Sequence, residues 1–401
     1  MSALGTVKYA LEKVTRYFLL VFVFSLPVSS FVSTRILVFT FCFAIAIMVI
    51  EKQKPQFIAN SWNIIFYLLM LVMGLIYTDD ISTGFKVLET SFSLVAMFVV
   101  INPMTISNKM IHQMFTAFIL GLLVAGVVCL GNAIFNYLQS HDLNVFFYYQ
   151  LTSPIGSHPT YLAYYLIASI TYLIYIAFYE LFDIKKIIWL PICAFFFLIL
   201  MLTGGRTAYI SLLLIFSFFT LKYLLEERSK NKTFVFFVVM LMLTGVFGFN
   251  SLSYFNSEIV TQGDYWERSQ LWSSALEANP SAIIGVGTGD YKSVLNDYYQ
   301  SHGMARFAAD SYNSHNQFIQ IYFSNGIVGL LALLLLIGRP LYLSVTSQNA
   351  LGILLVFPFI IYGITEVFLG RYQGVVFFAL VHQVVLFQYF SSRPSIRLST
   401  S

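Results

Sequence analysis

Apolar runs of about the ~20 residues that one helix needs to cross a bilayer recur along almost the whole chain, with short polar interruptions between them. A backbone in lipid must satisfy its own hydrogen bonds, so only helices and closed barrels span a membrane. The runs here are continuous and lack the alternation of barrel strands, which selects helices. The expected fold class is therefore all-α: a polytopic membrane protein, read as a single membrane domain over 1–401. A mean hydropathy of +0.79 with 10% charged residues excludes the soluble classes that a chain of this length would otherwise form. The first run, from Tyr17, follows basic residues as a signal peptide does. No small-residue cleavage site comes after it and further crossings do, so it reads as a retained helix.

About twelve crossings are expected, near 17–33, 36–51, 61–77, 87–102, 113–138, 160–180, 186–203, 206–223, 233–250, 314–337, 350–368 and 372–390. With the N-terminus inside, fifteen of the 22 basic residues, among them Lys52, Lys54, Lys185, Lys186, Lys222 and Arg339, fall in cytoplasmic segments. The outer side nevertheless owns the only long loops, so the asymmetry is the positive-inside signal. It predicts both termini in the cytoplasm and an extracytoplasmic loop, about 251–313, with short helices between the ninth and tenth crossings. The inner basic residues read as anchors to membrane lipids, and no nucleic-acid partner is called for. The outer segment 139–159, with Phe146, Phe147, Tyr148 and Tyr149, reads as interfacial.

Several polar residues read as structural. Cys42, Cys129 and Cys193 lie apart in apolar runs, with no C-x-x-C spacing, and no metal site is expected. Asp79 and Asp80 suit a solvated turn capping the next helix. His112 starts a helix on the cytoplasmic side and His382 lies in the last crossing without a sequence-evident partner, and Ile284-Gly-Val-Gly-Thr-Gly289 suits a tight turn better than a phosphate loop, since no Lys-Ser/Thr follows.

Chemistry is expected in the wet stretch from Asn250 to Asn316, which holds two of the six histidines. Asp264-Tyr-Trp-Glu267 has the spacing of a helix start and Asn279-Pro280 that of a stop. Within that helix Arg268, Leu271, Trp272 and Ala275 share one face, so the arginine should point toward protein or membrane surface. His315, at the re-entry to the membrane, can accept a proton near neutral pH, which a hydroxyl nucleophile requires. Arg206 stands at the mouth of the hairpin between the seventh and eighth crossings, where an arginine usually has a partner, either Glu366 or a substrate phosphate. Arg35 and Arg371 are expected at the same level, a set of guanidiniums suited to forked binding of a diphosphate.

These residues resemble the O-antigen ligase and polymerase superfamily. The resemblance rests on Thr203-Gly-Gly-Arg-Thr-Ala-Tyr, Arg268-Ser-Gln-Leu-Trp-Ser-Ser-Ala-Leu, Gly285-Val-Gly-Thr-Gly-Asp-Tyr, Ser314-His-Asn-Gln-Phe and Gly326-Ile-Val-Gly-Leu, over roughly residues 155 to 330. It implies a metal-independent, cofactor-free inverting glycosyltransferase in the bacterial inner membrane, acting on the periplasmic side. The donor it implies is a glycan on undecaprenyl diphosphate, and the acceptor a sugar hydroxyl of lipid A-core, or of another carrier-linked glycan in a polymerase. On that reading His315 is the general base, Arg268 and Arg206 bind and neutralise the diphosphate, and Asn316 fixes the imidazole or a sugar hydroxyl. Arg35, Arg306, Arg371, Trp272 and Tyr312 are further substrate-binding candidates. The ligase reading is preferred over the polymerase; a lipid-linked oligosaccharide flippase and a membrane scaffold are the readings of other classes. The sequence does not speak to oligomeric state.

Overall fold

A computed structural model describes residues 3–51, 57–104, 107–179, 186–225 and 263–392. Every regular element among them is helical. The expected crossing 233–250 and the first part of the outer loop, through residue 262, lie outside the described residues. The chain forms two compact units: one from 1–18, 37–111 and 265–401, the other from 19–36 and 112–264.

Among the described residues six helices or helix pairs are long and apolar enough to cross a membrane, over 30–50, 81–101, 108–140, 159–178, 317–346 and 372–390, with shorter apolar helices at 61–75, 189–202 and 350–365. The six fall on six of the twelve expected crossings, with shifted bounds, and the shorter helices lie where three more were expected. The expected crossing 17–33 is not one helix. α1 (Ala3–Ser25) ends and α2 (Ser30–Glu51) begins inside it, because Pro27, lacking an N–H, sits where the helical ladder would continue. Arg35 therefore lies in the second turn of α2, not in a loop. Likewise the expected crossing 87–102 starts earlier, at α4 (Ile81–Ser91), and runs on through α5 (Ser93–Ile101). Asp80 caps α4 by accepting from the Thr83 N–H at 3.0 Å, and those hydrogen bonds hold its carboxyl below the usual carboxylate range.

In the second unit α8 (Pro159–Phe178) is buried on nearly all sides, as befits a helix apolar all round. It packs against α9 (Lys186–Leu202) and α10 (Arg206–Leu225). A small cluster of Cys129, Ala133, Val145 and Leu151, with Leu202 packed on it, joins α6 (Asn108–Ser140) to the segment after it, which contains α7 (Tyr148–Thr152).

The first unit is built on α14 (Gln317–Thr346), which packs on α3 (Phe57–Leu75), α15 (Ala350–Thr365) and α16 (Tyr372–Ser392). The apolar run hides a break: Gly326 has φ 65 and ψ −164 inside α14. Breaking a helix frees carbonyls that lipid cannot satisfy. The glycine-rich loop satisfies them: Val286 N–H donates to Phe323 O at 3.0 Å and Gly287 N–H to Ser324 O at 2.8 Å, while Ile327 N–H donates to Ala282 O at 2.9 Å. Asn325 completes the seam, donating to Thr288 Oγ1 at 2.9 Å and to Met70 O at 3.3 Å. A side chain at Gly326 would bring its Cβ to 2.0 Å from Ile283 O, and at Gly287 (φ 108) to 2.4 Å from Thr78 Oγ1. The loop's backbone is thus a splice in a broken helix. Asp290 closes it, its carboxylate accepting from Asp79 N–H at 2.9 Å and Asp80 N–H at 2.7 Å.

Candidate functional site

The described part of the outer loop folds into α11 (Gly263–Glu277), α12 (Tyr291–Ser301) and α13 (Ala305–Ala309). α11 has the four turns that the sequence predicts. Its Leu271 and Ala275 join Leu295, Tyr299, Phe307 and Phe323 in one buried cluster, on which Trp272 and Tyr312 also pack. Arg268 lies one turn before Leu271 on that face, half-buried, and among the described residues no hydrogen bond or ion pair holds its guanidinium. The Trp272 indole N–H is buried there without a hydrogen-bond partner among the described residues, which is uncommon for a buried donor.

Between α13 and α14 the backbone is forced. Ser311 (φ 49) and His315 (φ 44) are both left-handed, a conformation that non-glycine residues adopt at a cost of roughly 1–3 kcal/mol. The neighbouring polar groups hold them there. The His315 N–H donates to Asn313 Oδ1 at 2.8 Å, and buried Ser314 donates its N–H to Gln320 Oε1 at 3.2 Å and its hydroxyl to Asn316 O at 3.0 Å. Asn316 Oδ1 accepts from Phe318 N–H at 2.9 Å and Ile319 N–H at 3.1 Å, capping α14. The side-chain carbonyl of Asn316 is thus committed to the helix, and the turn carries the imidazole outward.

The His315 ring, partly exposed, has Tyr312 at 5.6 Å between centroids and its Nδ1 3.7 Å from Glu366 Oε1. Glu366 ends α15, its Oε1 also accepting from Val367 N–H at 3.1 Å. Gln317 Oε1 accepts from Leu369 N–H at 2.8 Å, tying the turn after Glu366 to the first residue of α14. At 3.7 Å the pair is longer than a hydrogen bond, so the carboxylate stands beside Nδ1 without fixing the tautomer. Sequence reasoning offered Glu366 to Arg206; no local signal links it to His315, because the two are brought together by the packing of α14 on α15.

The other candidates divide. Arg371, on the same turn as Glu366, is exposed, and among the described residues its guanidinium has no partner. Arg306 donates to Glu267 Oε1 at 2.6 Å, bracing α13 on α11. Arg206, the first residue of α10, and Arg35 belong to the second unit. The Arg35 guanidinium donates to Phe31 O at 2.9 Å and stacks 3.1 Å above the Phe31 ring, held within its own helix. Arg206 follows the turn after α9, where Gly204 takes φ 66. Among the described residues no three His, Cys, Asp or Glu side chains converge as a metal site would require.

Comparison with known proteins bears on this part of the chain. A family model described as O-Antigen ligase matches residues 191–334, a stretch that includes Arg206, Arg268, Trp272, Arg306, Tyr312, His315 and Asn316. The resemblance to the O-antigen ligase and polymerase superfamily is thereby shown over that stretch. An uncharacterized protein of Haemophilus influenzae is 28% identical over 122 residues, covering 28% of this chain and 31% of the relative. The chain thus spans about a third of the length of the curated relative it matches.

Proposed function

We propose that this protein is a membrane-embedded, metal-independent inverting glycosyltransferase of the O-antigen ligase type. Its donor is a glycan on undecaprenyl diphosphate, its acceptor a sugar hydroxyl of lipid A-core, and its site opens to the periplasm. The observation that carries the reading is the strained turn that holds His315 toward solvent with Glu366 behind it, inside the region that matches the family. Strain of this kind persists only where surrounding structure enforces it, and it gathers at working sites.

The chemistry is a single displacement. The acceptor oxygen forms a bond to the anomeric carbon as the bond from that carbon to the diphosphate breaks. His315 takes the hydroxyl proton and undecaprenyl diphosphate leaves with the electron pair. Arg268, with no partner among the described residues, and Arg206 neutralise charge growing on the diphosphate, where fixed cations stabilise the transition state more than the ground state. Arg371 is exposed on the Glu366 turn for the same ligand, and Trp272, Tyr312, Arg306, Asn316 and Arg35 support substrate or the elements that hold it.

Purified protein given carrier-linked glycan and lipid A-core should transfer in EDTA, and His315→Ala should remove transfer while keeping helical content. Full activity of that variant would remove the base assignment. With a second carrier-linked chain as acceptor in place of lipid A-core, chain growth would mark the polymerase instead.

A further inference from the structure

Within the second unit, the segment that follows α6 displays two tyrosines in a fixed corner. Tyr148 and Tyr149 are 41% and 52% exposed, and their rings meet at 78° with centroids 4.5 Å apart. Tyr148 has φ 51, so the backbone is strained where the first ring leaves it. The second ring is fixed from behind: its hydroxyl is 2.5 Å from His158 Nε2, and the two rings stand at 87° with centroids 4.9 Å apart. His158 Nδ1 accepts from Thr160 N–H at 3.2 Å, capping α8. That bond places the imidazole proton on Nε2, so His158 donates to Tyr149. Leu151, fully buried in the cluster beneath, anchors the segment.

Leu202 packs on that same cluster, and Arg206 follows it by four residues at the start of α10. The corner and the arginine therefore occupy the same end of this unit.

We infer that Tyr148 and Tyr149 form a saccharide-binding platform, on which a pyranose stacks its C–H face while its hydroxyls meet the tyrosine hydroxyls and Gln150. Exposed aromatic rings also suit a membrane interface, but a fluid headgroup region gains nothing from strained backbone, a fixed tautomer and rings locked at right angles. A ligand of defined shape does. The inference rests on the proposed glycosyl transfer for its choice of ligand, and it draws the sugar's contacts from residues of the second unit.

The test is saturation-transfer difference spectroscopy on the full chain in nanodiscs, with free hexoses, 6-deoxyhexoses and N-acetylhexosamines as probes. At least one sugar class should receive saturation through its ring protons. Tyr149→Ala should remove the signal and raise KM for the glycan substrate about tenfold, as expected for one lost aromatic contact, while Tyr149→Phe keeps most of it. His315→Ala should bind sugar as the wild type does, so a failure of the base assignment and a failure of the platform are read separately. Absence of transfer to every probe, or a signal unchanged in Tyr149→Ala, would overturn the inference. So would quenching of the tyrosines by headgroup-labelled lipid that sugar does not relieve.

Discussion

Two histidines lie along α14 and its neighbours in the first unit, and they are held in opposite ways. His315 stands at the start of the helix on a left-handed backbone, partly exposed, with a carboxylate 3.7 Å from Nδ1. His382 is fully buried in α16, its Nε2 2.9 Å from the Asn63 amide nitrogen. Arg339 donates to Asn63 Oδ1 at 3.0 Å, which turns the amide so that its N–H side faces the imidazole. His382 is thus an acceptor at Nε2, and the partner that the sequence did not show comes from the other end of the chain. Burial against a donating amide makes a histidine part of the packing; exposure, strain and a nearby carboxylate suit one to the proposed proton transfer.

Parallel substitutions at the two places test that contrast. After His315 itself, the largest effect is expected at Arg268. Arg268→Ala should lower kcat/KM by about 10²–10³-fold, the usual scale for losing one preorganised partner of a developing charge. Arg339→Ala should leave kcat/KM nearly unchanged and lower the thermal midpoint instead. Kinetics and melting of both variants decide it, and equal kinetic losses would break the distinction.

Glu366→Gln should cost kcat roughly tenfold, about 1.4 kcal/mol, with KM little changed, because the carboxylate charge stands beside the base and not against substrate. Asn63→Ala, which removes the amide between His382 and Arg339, should instead cost about 1–3 kcal/mol of stability with kcat retained, as read by chemical denaturation in detergent. A large kcat loss in Asn63→Ala would mean that the buried cluster takes part in turnover. Among the candidate site residues the smallest kinetic effect is expected at Arg306. Its exposed pairing with Glu267 is worth about 0–1 kcal/mol, so Arg306→Ala should change KM less than threefold, about 0.6 kcal/mol.

The sequence was readable where period and composition act locally. Continuous apolar runs gave the helical class, Asp80 its cap, and the spacing from Arg268 to Ala275 gave α11 and the face it buries. Hydropathy failed at Pro27 and at Gly326, since an apolar average runs smoothly through a turn or a break. Whether Gly326 interrupts α14 depends on the peptide groups of residues 282–287 filling the gap, a pairing that no local pattern encodes. The site was legible as a list of residues, but its geometry was not. Glu366 reaches His315 only through the packing of α15 on α14, and Asn316, adjacent to the histidine in sequence, turns its carbonyl to the helix. The left-handed backbone at Ser311 left no mark in the sequence, and at His315 the residue type permits it without announcing it.

The central claim is that His315 carries chemistry where His382 carries only packing. Single-turnover transfer by purified wild type, His315→Ala and His382→Ala, run side by side in EDTA on the same donor and acceptor, tests it most directly. The expected result is a loss of at least about 10²-fold in His315→Ala with an unchanged melting midpoint, and a lowered midpoint with near wild-type transfer in His382→Ala. Near wild-type transfer by a folded His315→Ala protein would contradict the account.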